Sequence, residues 1–176
     1  MKSFLYHMVP KEQRGKMLLP LNQLKITIPE IYAEKVKKYE GREDIMKWRV
    51  PPLDCVWNDV LHLSPIEPSV LIEALHEAGM KERSFDFYKI DPAVLNPELS
   101  CVYLFKSLNG IKEPDDKEFV SFDLESLKEW QKVPKVTKEY FKAKFDVGEK
   151  PLMFFAIPHV LYKGTIDVSE TEIVSI

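Results

Sequence analysis

Trp57-Asn58-Asp59-Val60-Leu61-His62-Leu63-Ser64-Pro65 is the stretch around which the chain is organised. Its apolar residues and the prolines on either side, Pro51-Pro52 and Pro65, favour a short buried strand over a helix. Residues two apart on a strand point to the same face, so His62 and Ser64 are predicted to share one and to be able to contact one ligand. The alternative is that His62 hydrogen-bonds within the core and Ser64 caps the next helix.

The next segment has the most regular helical pattern in the sequence. Pro68 suits a helix N-terminus and Gly79 a helix C-terminus. Between them, apolar residues recur at the three- and four-residue spacing of an amphipathic helix. These residues are Val70, Leu71, Ala74, Leu75 and Ala78.

Strand patterns occur on both sides of that helix and are separated by short turns. Such an order favours antiparallel or mixed pairing, so we predict one α+β domain over residues 1–176, with a mixed or split antiparallel sheet. Further helices are predicted from Pro29 and over residues 123–130 and 137–145. The predicted strands cover residues 4–9, 84–90, 101–105, 118–122, 152–157, 165–168 and 172–176.

The composition is typical of a globular protein. Of the 176 residues 45% are hydrophobic and 30% are charged, which excludes a disordered chain. Lys plus Arg is 25 and Asp plus Glu is 28, a net charge of −3 that does not by itself favour nucleic acid as a partner. No apolar run predicts a signal peptide or membrane span, so no membrane partner and a cytoplasmic location are expected. Cys55 and Cys101 are predicted to be reduced and buried.

Several familiar kinds of site find little support in the residue pattern. Ser64 is not in a Gly-x-Ser-x-Gly turn, which argues against a serine hydrolase. The glycines form no phosphate-binding loop before a helix. The histidines lack the spacing of metal ligands, and no metal is expected; they are His7, His62, His76 and His159.

Three strings occur in the order of a known family. Leu5-Tyr6-His7, Asp59-Val60-Leu61-His62-Leu63-Ser64 and Phe87-Tyr88-Lys89-Ile90-Asp91-Pro92-Ala93 resemble ADP-ribosyltransferase-like proteins, and most closely the RNA 2′-phosphotransferase branch. The resemblance covers about two thirds of the chain by short strings. Later strings fall in a similar order: Tyr103, Ser107-Leu108-Asn109-Gly110 and Ile157-Pro158-His159-Val160-Leu161.

The resemblance implies a site for NAD or a related nucleotide. His7 corresponds to the first-strand histidine that contacts the cofactor ribose, and His62 to the accompanying strand histidine. Ser64 corresponds to the serine on the nicotinamide side, and Tyr103 offers a ring that stacks on nicotinamide. The chain departs from the family in two places: Met8-Val9 replaces the usual Gly-Thr, and the arginine expected shortly before the second histidine is missing.

ADP-ribosyl transfer also needs a carboxylate, because positive charge builds up on the anomeric carbon as nicotinamide leaves. Glu149 is the first candidate for the catalytic carboxylate beside His7 and His62, and Glu170 and Glu172 are the second. The alternative for each glutamate is an ordinary solvated side chain.

A basic and aromatic segment precedes the organising stretch. Arg42, Lys47, Trp48 and Arg49 are predicted either to grip a phosphate or base, or to form an ordinary basic surface loop. The family resemblance thus implies an NAD- or nucleotide-binding protein that transfers ADP-ribose or acts on a phosphorylated nucleic-acid end. The alternative is a non-catalytic interaction or regulatory module that retains the fold.

Overall fold

The computed structural model describes residues 2–11, 13–106 and 112–176, and these form one α+β domain. The α-helices of the described residues are α1 Leu21–Thr27, α2 Pro29–Val36, α3 Pro68–Ala78 and α4 Lys135–Asp146. Their strands are β1 Leu5–Met8, β2 Met17–Leu18, β3 Arg49–Val50, β4 Cys55–Val56, β5 Leu61–Leu63, β6 Asp86–Ile90, β7 Ser100–Tyr103, β8 Phe119–Ser121, β9 His159–Tyr162, β10 Ile166–Asp167 and β11 Glu172–Ser175.

Two antiparallel sheets form the centre of the fold. One has the strand order β5-β9-β7-β8 and the other the order β1-β6-β11. Tyr6 of β1 and Ser64, just after β5, exchange two backbone hydrogen bonds of 2.8 Å, which join the two sheets at an edge strand of each. All strand pairings among the described residues are antiparallel, so of the two predicted arrangements the split antiparallel one is observed.

The junction of the sheets is held by shared apolar side chains. Leu5 of β1 and Leu63 of β5 are both fully buried and belong to one cluster with Ile90 of β6 and Val160 of β9. Each such side chain contributes about 1.5–3 kcal/mol when it is transferred from water. Burial at this junction therefore sets β1 beside β5, and with them the histidines that they carry.

Helix α3 agrees with its sequence pattern. Pro68 occupies its first turn, and Gly79 ends it in a left-handed conformation with φ 118°. Leu71, Ile72 and Leu75 are buried on the face that packs against α4. Phe141 of α4, which is also fully buried, completes that cluster.

Three segments differ from their predicted structures. Trp57–Asp59 is a 3-10 turn and not part of the strand. The Asp59 carboxylate accepts a hydrogen bond from the Val56 N–H at 2.9 Å, and this bond stabilises the turn. Ser126–Trp130 is a 3-10 helix rather than an α-helix. Its buried Leu127 and half-buried Trp130 are three residues apart, which is one turn of a 3-10 helix.

The apolar run 152–157 forms turns and no strand. Pro151 and Pro158 bound the run, and Ala156 has φ 54°, a left-handed conformation that does not fit a strand. Phe155, Ala156 and Ile157 are nevertheless buried. The apolar character of the run thus reports burial alone, and the strand begins only at His159.

Candidate functional site

His7 and His62 lie on the two strands that meet at the junction of the sheets. Both side chains line a cavity of about 310 Å³, which we call the histidine cavity. They are brought together because Tyr6, which precedes His7, pairs with Ser64, two residues beyond His62. His7 and His62 are 55 positions apart in the sequence, and the fold nevertheless places both in the lining of the same cavity.

Both imidazoles are held neutral. Burial lowers the pKa of His7 to about 4 and that of His62 to about 3, and His159 further lowers the pKa of His62. His7 Nδ1 donates to the Met8 carbonyl at 2.7 Å, and His62 Nε2 donates to the Trp57 carbonyl at 3.0 Å. Each neutral ring therefore keeps one unprotonated nitrogen that is able to accept a hydrogen bond.

The histidine cavity takes its charge from lysines. Lys11, Lys35 and Lys38 line it, and no carboxylate of the described residues does so. The pKa of Lys38 is lowered mainly by desolvation and to a smaller extent by repulsion from Lys35 and Arg42, although the residue as a whole is exposed. The Lys38 ammonium lies 4.9 Å from the centroid of the Tyr39 ring. Because the charged residues that line the cavity are lysines, its lining has a positive electrostatic potential.

A second cavity of about 270 Å³, the aromatic cavity, adjoins the first. Lys38 and Tyr39 line both, so the two cavities form one cleft. The Trp57 ring lies 5.9 Å from Trp48 and 5.5 Å from Tyr103, both in edge-on geometry. The aromatic walls are Trp48, Trp57, Tyr103, Phe105, Phe154 and Phe155.

Tyr103 is buried at 3% exposure and lines the aromatic cavity, not the histidine cavity. Its ring is stacked on Phe105 at 5.2 Å. The pKa of the Tyr103 hydroxyl lies far above its ordinary range, mainly because of burial and to a smaller extent because of the charge of Glu118. The phenol is therefore neutral. The side chain offers the cleft an apolar ring and no negative charge.

His159, which was not among the predicted site residues, also lines the aromatic cavity. Its ring centroid is 6.2 Å from that of His62. Burial lowers the pKa of His159 to about 4, an effect that the backbone of Ile157 offsets only in part. The His159 Nδ1 is buried and has no hydrogen-bond partner of good geometry among the described residues.

Ser64 has a local structural role in this fold. It is 3% exposed, its Oγ accepts a hydrogen bond from the Ile66 N–H at 3.1 Å, and it lines neither cavity of the cleft. Its backbone carries the junction with Tyr6. The predicted alternative, that Ser64 caps the next helix, is not observed either, because the N-cap of α3 is Glu67 and no side chain caps it. The Ser64 hydroxyl instead closes the turn before α3.

The candidate glutamates lie outside the cleft. Glu149 is exposed beyond the end of α4 and forms an ion pair with Lys144 at 2.5 Å. Glu172 is exposed on β11 and pairs with Lys89 at 2.9 Å, and Glu170 is exposed in the preceding turn. None of the three lines either cavity of the cleft. The structure therefore does not bring them to His7 and His62.

The basic segment is divided between cleft and surface. Arg42 and Trp48 line the aromatic cavity, whereas Lys47 and Arg49 are exposed and line neither cavity. The Arg42 guanidinium also donates twice to the Lys38 carbonyl, at 3.0 and 3.1 Å. That bond holds Arg42 beside Lys38 at the edge shared by the two cavities.

The most important residues missing from the sequence predictions are Lys35 and Lys38. A partial signal for them is present, because Lys35 and Lys38 stand three residues apart near the end of the helix predicted from Pro29 and so share one face of it. Asn58 also lines the histidine cavity and accepts a hydrogen bond from the buried Tyr39 hydroxyl at 3.0 Å. The string Ser107-Leu108-Asn109-Gly110 lies outside the described residues.

No group of metal-ligating side chains occurs within residues 2–11, 13–106 and 112–176, and no helix in these ranges has the length and apolar character needed to cross a membrane. Comparisons of the chain with protein-family models, with curated proteins and with solved structures found no match.

Proposed function

We propose that this protein binds a nucleotide, with NAD as the leading ligand, in the cleft formed by the histidine cavity and the aromatic cavity. The observation that carries the proposal is that His7 and His62 line one cavity that adjoins a second cavity containing Tyr103. The resemblance to ADP-ribosyltransferase-like proteins names the same residues as ligand contacts. An ADP-ribosyltransferase-like fold is part of this proposal.

The charges and rings of the cleft suit the parts of a nucleotide. Lys38 and Arg42 lie where the cavities meet, and a pyrophosphate or phosphate there meets two cations. Trp48 and Trp57 offer faces or edges to a base. The unprotonated nitrogens of His7 and His62 are able to accept hydrogen bonds from ribose hydroxyls.

Transfer of ADP-ribose or of a phosphoryl group is the chemistry that the resemblance implies. The ion pairs of Glu149 with Lys144 and of Glu172 with Lys89 favour the second candidate, a non-catalytic nucleotide-binding module. Both candidates require the same ligand to bind in the same cleft. Binding is therefore the property to measure first, and turnover of NAD separates the two.

Calorimetry with NAD, ADP-ribose and nicotinamide tests the proposal. We expect NAD and ADP-ribose to bind and to raise the melting temperature by mass action, because both carry the pyrophosphate that Lys38 and Arg42 meet. Lys38→Glu should weaken ADP-ribose binding about tenfold or more. Lys47→Glu makes the same charge change nearby, outside both cavities, and should leave the affinity nearly unchanged.

The tryptophans supply an independent readout of where the ligand sits. ADP-ribose in the aromatic cavity should change the fluorescence of Trp57, which lines the cavity. The change should persist in Trp130→Phe, because Trp130 packs in the main core cluster, and shrink in Trp57→Phe. Absence of any melting shift at millimolar concentrations of all three ligands would disprove nucleotide binding. Equal weakening by Lys38→Glu and Lys47→Glu would disprove the assigned cleft.

A further inference from the structure

A third cavity lies beyond the cleft and differs from it in lining. Its volume is about 660 Å³, within the range of small-molecule sites, and we call it the apolar cavity. It lies between the end of α3, the end of α4 and the segment that follows α4. Its main apolar walls are Leu75, Met80, Phe85, Phe145, Met153 and Phe154.

Cations surround this apolar volume. Lys81, Arg83 and Lys150 are exposed residues that line it, with Glu82 as the one carboxylate of the described residues that does so. Lys81 and Lys150 form no ion pair within the described part of the chain. The Arg83 guanidinium lies 5.4 Å from the centroid of Phe85, over an apolar wall residue. The cavity thus combines an apolar interior with a positive edge.

We propose that the apolar cavity binds an amphiphilic anion, namely a fatty acid with its chain against the apolar walls and its carboxylate among Lys81, Arg83 and Lys150. Charge complementarity favours an anionic head group, since the edge carries three cations and one carboxylate. Met80 and Met153 suit an alkyl chain, because unbranched thioether side chains adapt their shape to irregular apolar ligands.

This site is separate from the nucleotide proposal in its chemistry and in most of its residues. The apolar cavity shares Leu152, Met153 and Phe154 with the aromatic cavity, and it shares Met8 with the histidine cavity. None of His7, His62, Lys38 or Arg42 lines the apolar cavity. Binding of a fatty acid can therefore be established whether or not a nucleotide binds.

Titration calorimetry with octanoate, decanoate and dodecanoate below their micellar concentrations tests the chain-binding part. Each methylene transferred from water into the cavity should tighten binding about fourfold until the cavity is filled. A bulky Met80→Trp substitution should weaken dodecanoate binding by filling the cavity, and circular dichroism verifies that the variant is folded. Binding that is not saturable, or that does not depend on chain length, would overturn the proposal.

Charge variants test the head-group part and do not depend on Met80→Trp being folded. Lys81→Glu combined with Lys150→Glu should weaken dodecanoate about tenfold or more, while the affinity for the uncharged decanol changes little. Lys142→Glu is the control for a single charge reversal, because Lys142 is an exposed lysine of α4 that lines none of these three cavities. Equal affinity of wild type and double variant for dodecanoate, or an equal loss in Lys142→Glu, would overturn the assigned site.

Discussion

The cleft and the surface that carries Glu149 and Glu172 are opposites in their electrostatics. In the cleft, neutral histidines and aromatic rings lie beside Lys38 and Arg42, and no carboxylate of the described residues lines the walls. At the surface, each glutamate is solvated and has a lysine partner. The comparison teaches that residue type alone does not make a site: a polar residue gains chemistry when the fold removes it from water and from its natural partners.

Acidification should separate the two regions most strongly. The folded-state pKa values of His7, His62 and His159 are about 4, 3 and 4, whereas an unfolded histidine titrates near its ordinary 6.5. Between these values the unfolded chain binds more protons, so stability present above pH 6.5 is lost as the pH falls. We expect a loss of at most about 2 kcal/mol for each of these half-buried histidines between pH 6.5 and 5, measured by urea unfolding.

Two substitutions show which histidines are responsible for that loss. In His62→Gln the loss of unfolding free energy between pH 6.5 and 5 should be up to about 2 kcal/mol smaller than in wild type, because the imidazole that takes up a proton on unfolding is absent. His76→Gln is the control, because His76 is exposed on α3 and should leave the pH dependence unchanged. If wild type and His62→Gln lose equal unfolding free energy between pH 6.5 and 5, the fold does not hold His62 neutral.

Ser64→Ala should have the next largest effect, and on stability rather than on binding. The substitution leaves the buried Ile66 N–H without its acceptor, which costs about 1 kcal/mol of unfolding free energy. Urea unfolding measures this cost, and calorimetry should show an unchanged affinity for ADP-ribose. Ser69→Ala on α3 is the control. Weaker ligand binding at unchanged stability would make Ser64 a ligand contact, as the family resemblance implies.

Glu149→Gln and Glu172→Gln should have the smallest effects. Their ion pairs are exposed, so each substitution should change the unfolding free energy by less than about 0.5 kcal/mol. Neither should alter ADP-ribose binding or any turnover of NAD. A tenfold or larger loss of NAD turnover in either variant, with the fold intact, would restore that glutamate as the catalytic carboxylate.

The parts of the fold that were predicted correctly rest on local physics. The proline and glycine at the ends of α3 and its apolar spacing act within one element, and so does the apolar run of β1. The predictions that failed turn on local backbone features that an apolar pattern does not report. The run 152–157 is apolar enough for a strand, but its prolines and the left-handed Ala156 let it be buried as turns.

The candidate site divides in the same way. That His62 belongs to a strand following two prolines is legible in the sequence, and so is the three-residue spacing of Lys35 and Lys38. That Ser64 uses its hydroxyl on the Ile66 N–H is a contact that the residue pattern left open.

The amino-acid sequence by itself determined an α+β chain with a polar, histidine-bearing strand before a regular helix, because periodicity and turn residues act locally. Only the tertiary structure decided which polar residues meet. The backbone pairing of Tyr6 with Ser64 places His7 beside His62, and the packing of the fold leaves Glu149 exposed and outside both cavities of the cleft. The physical reason is that pairing between strands and burial at their junction are long-range events, which one segment of sequence does not specify.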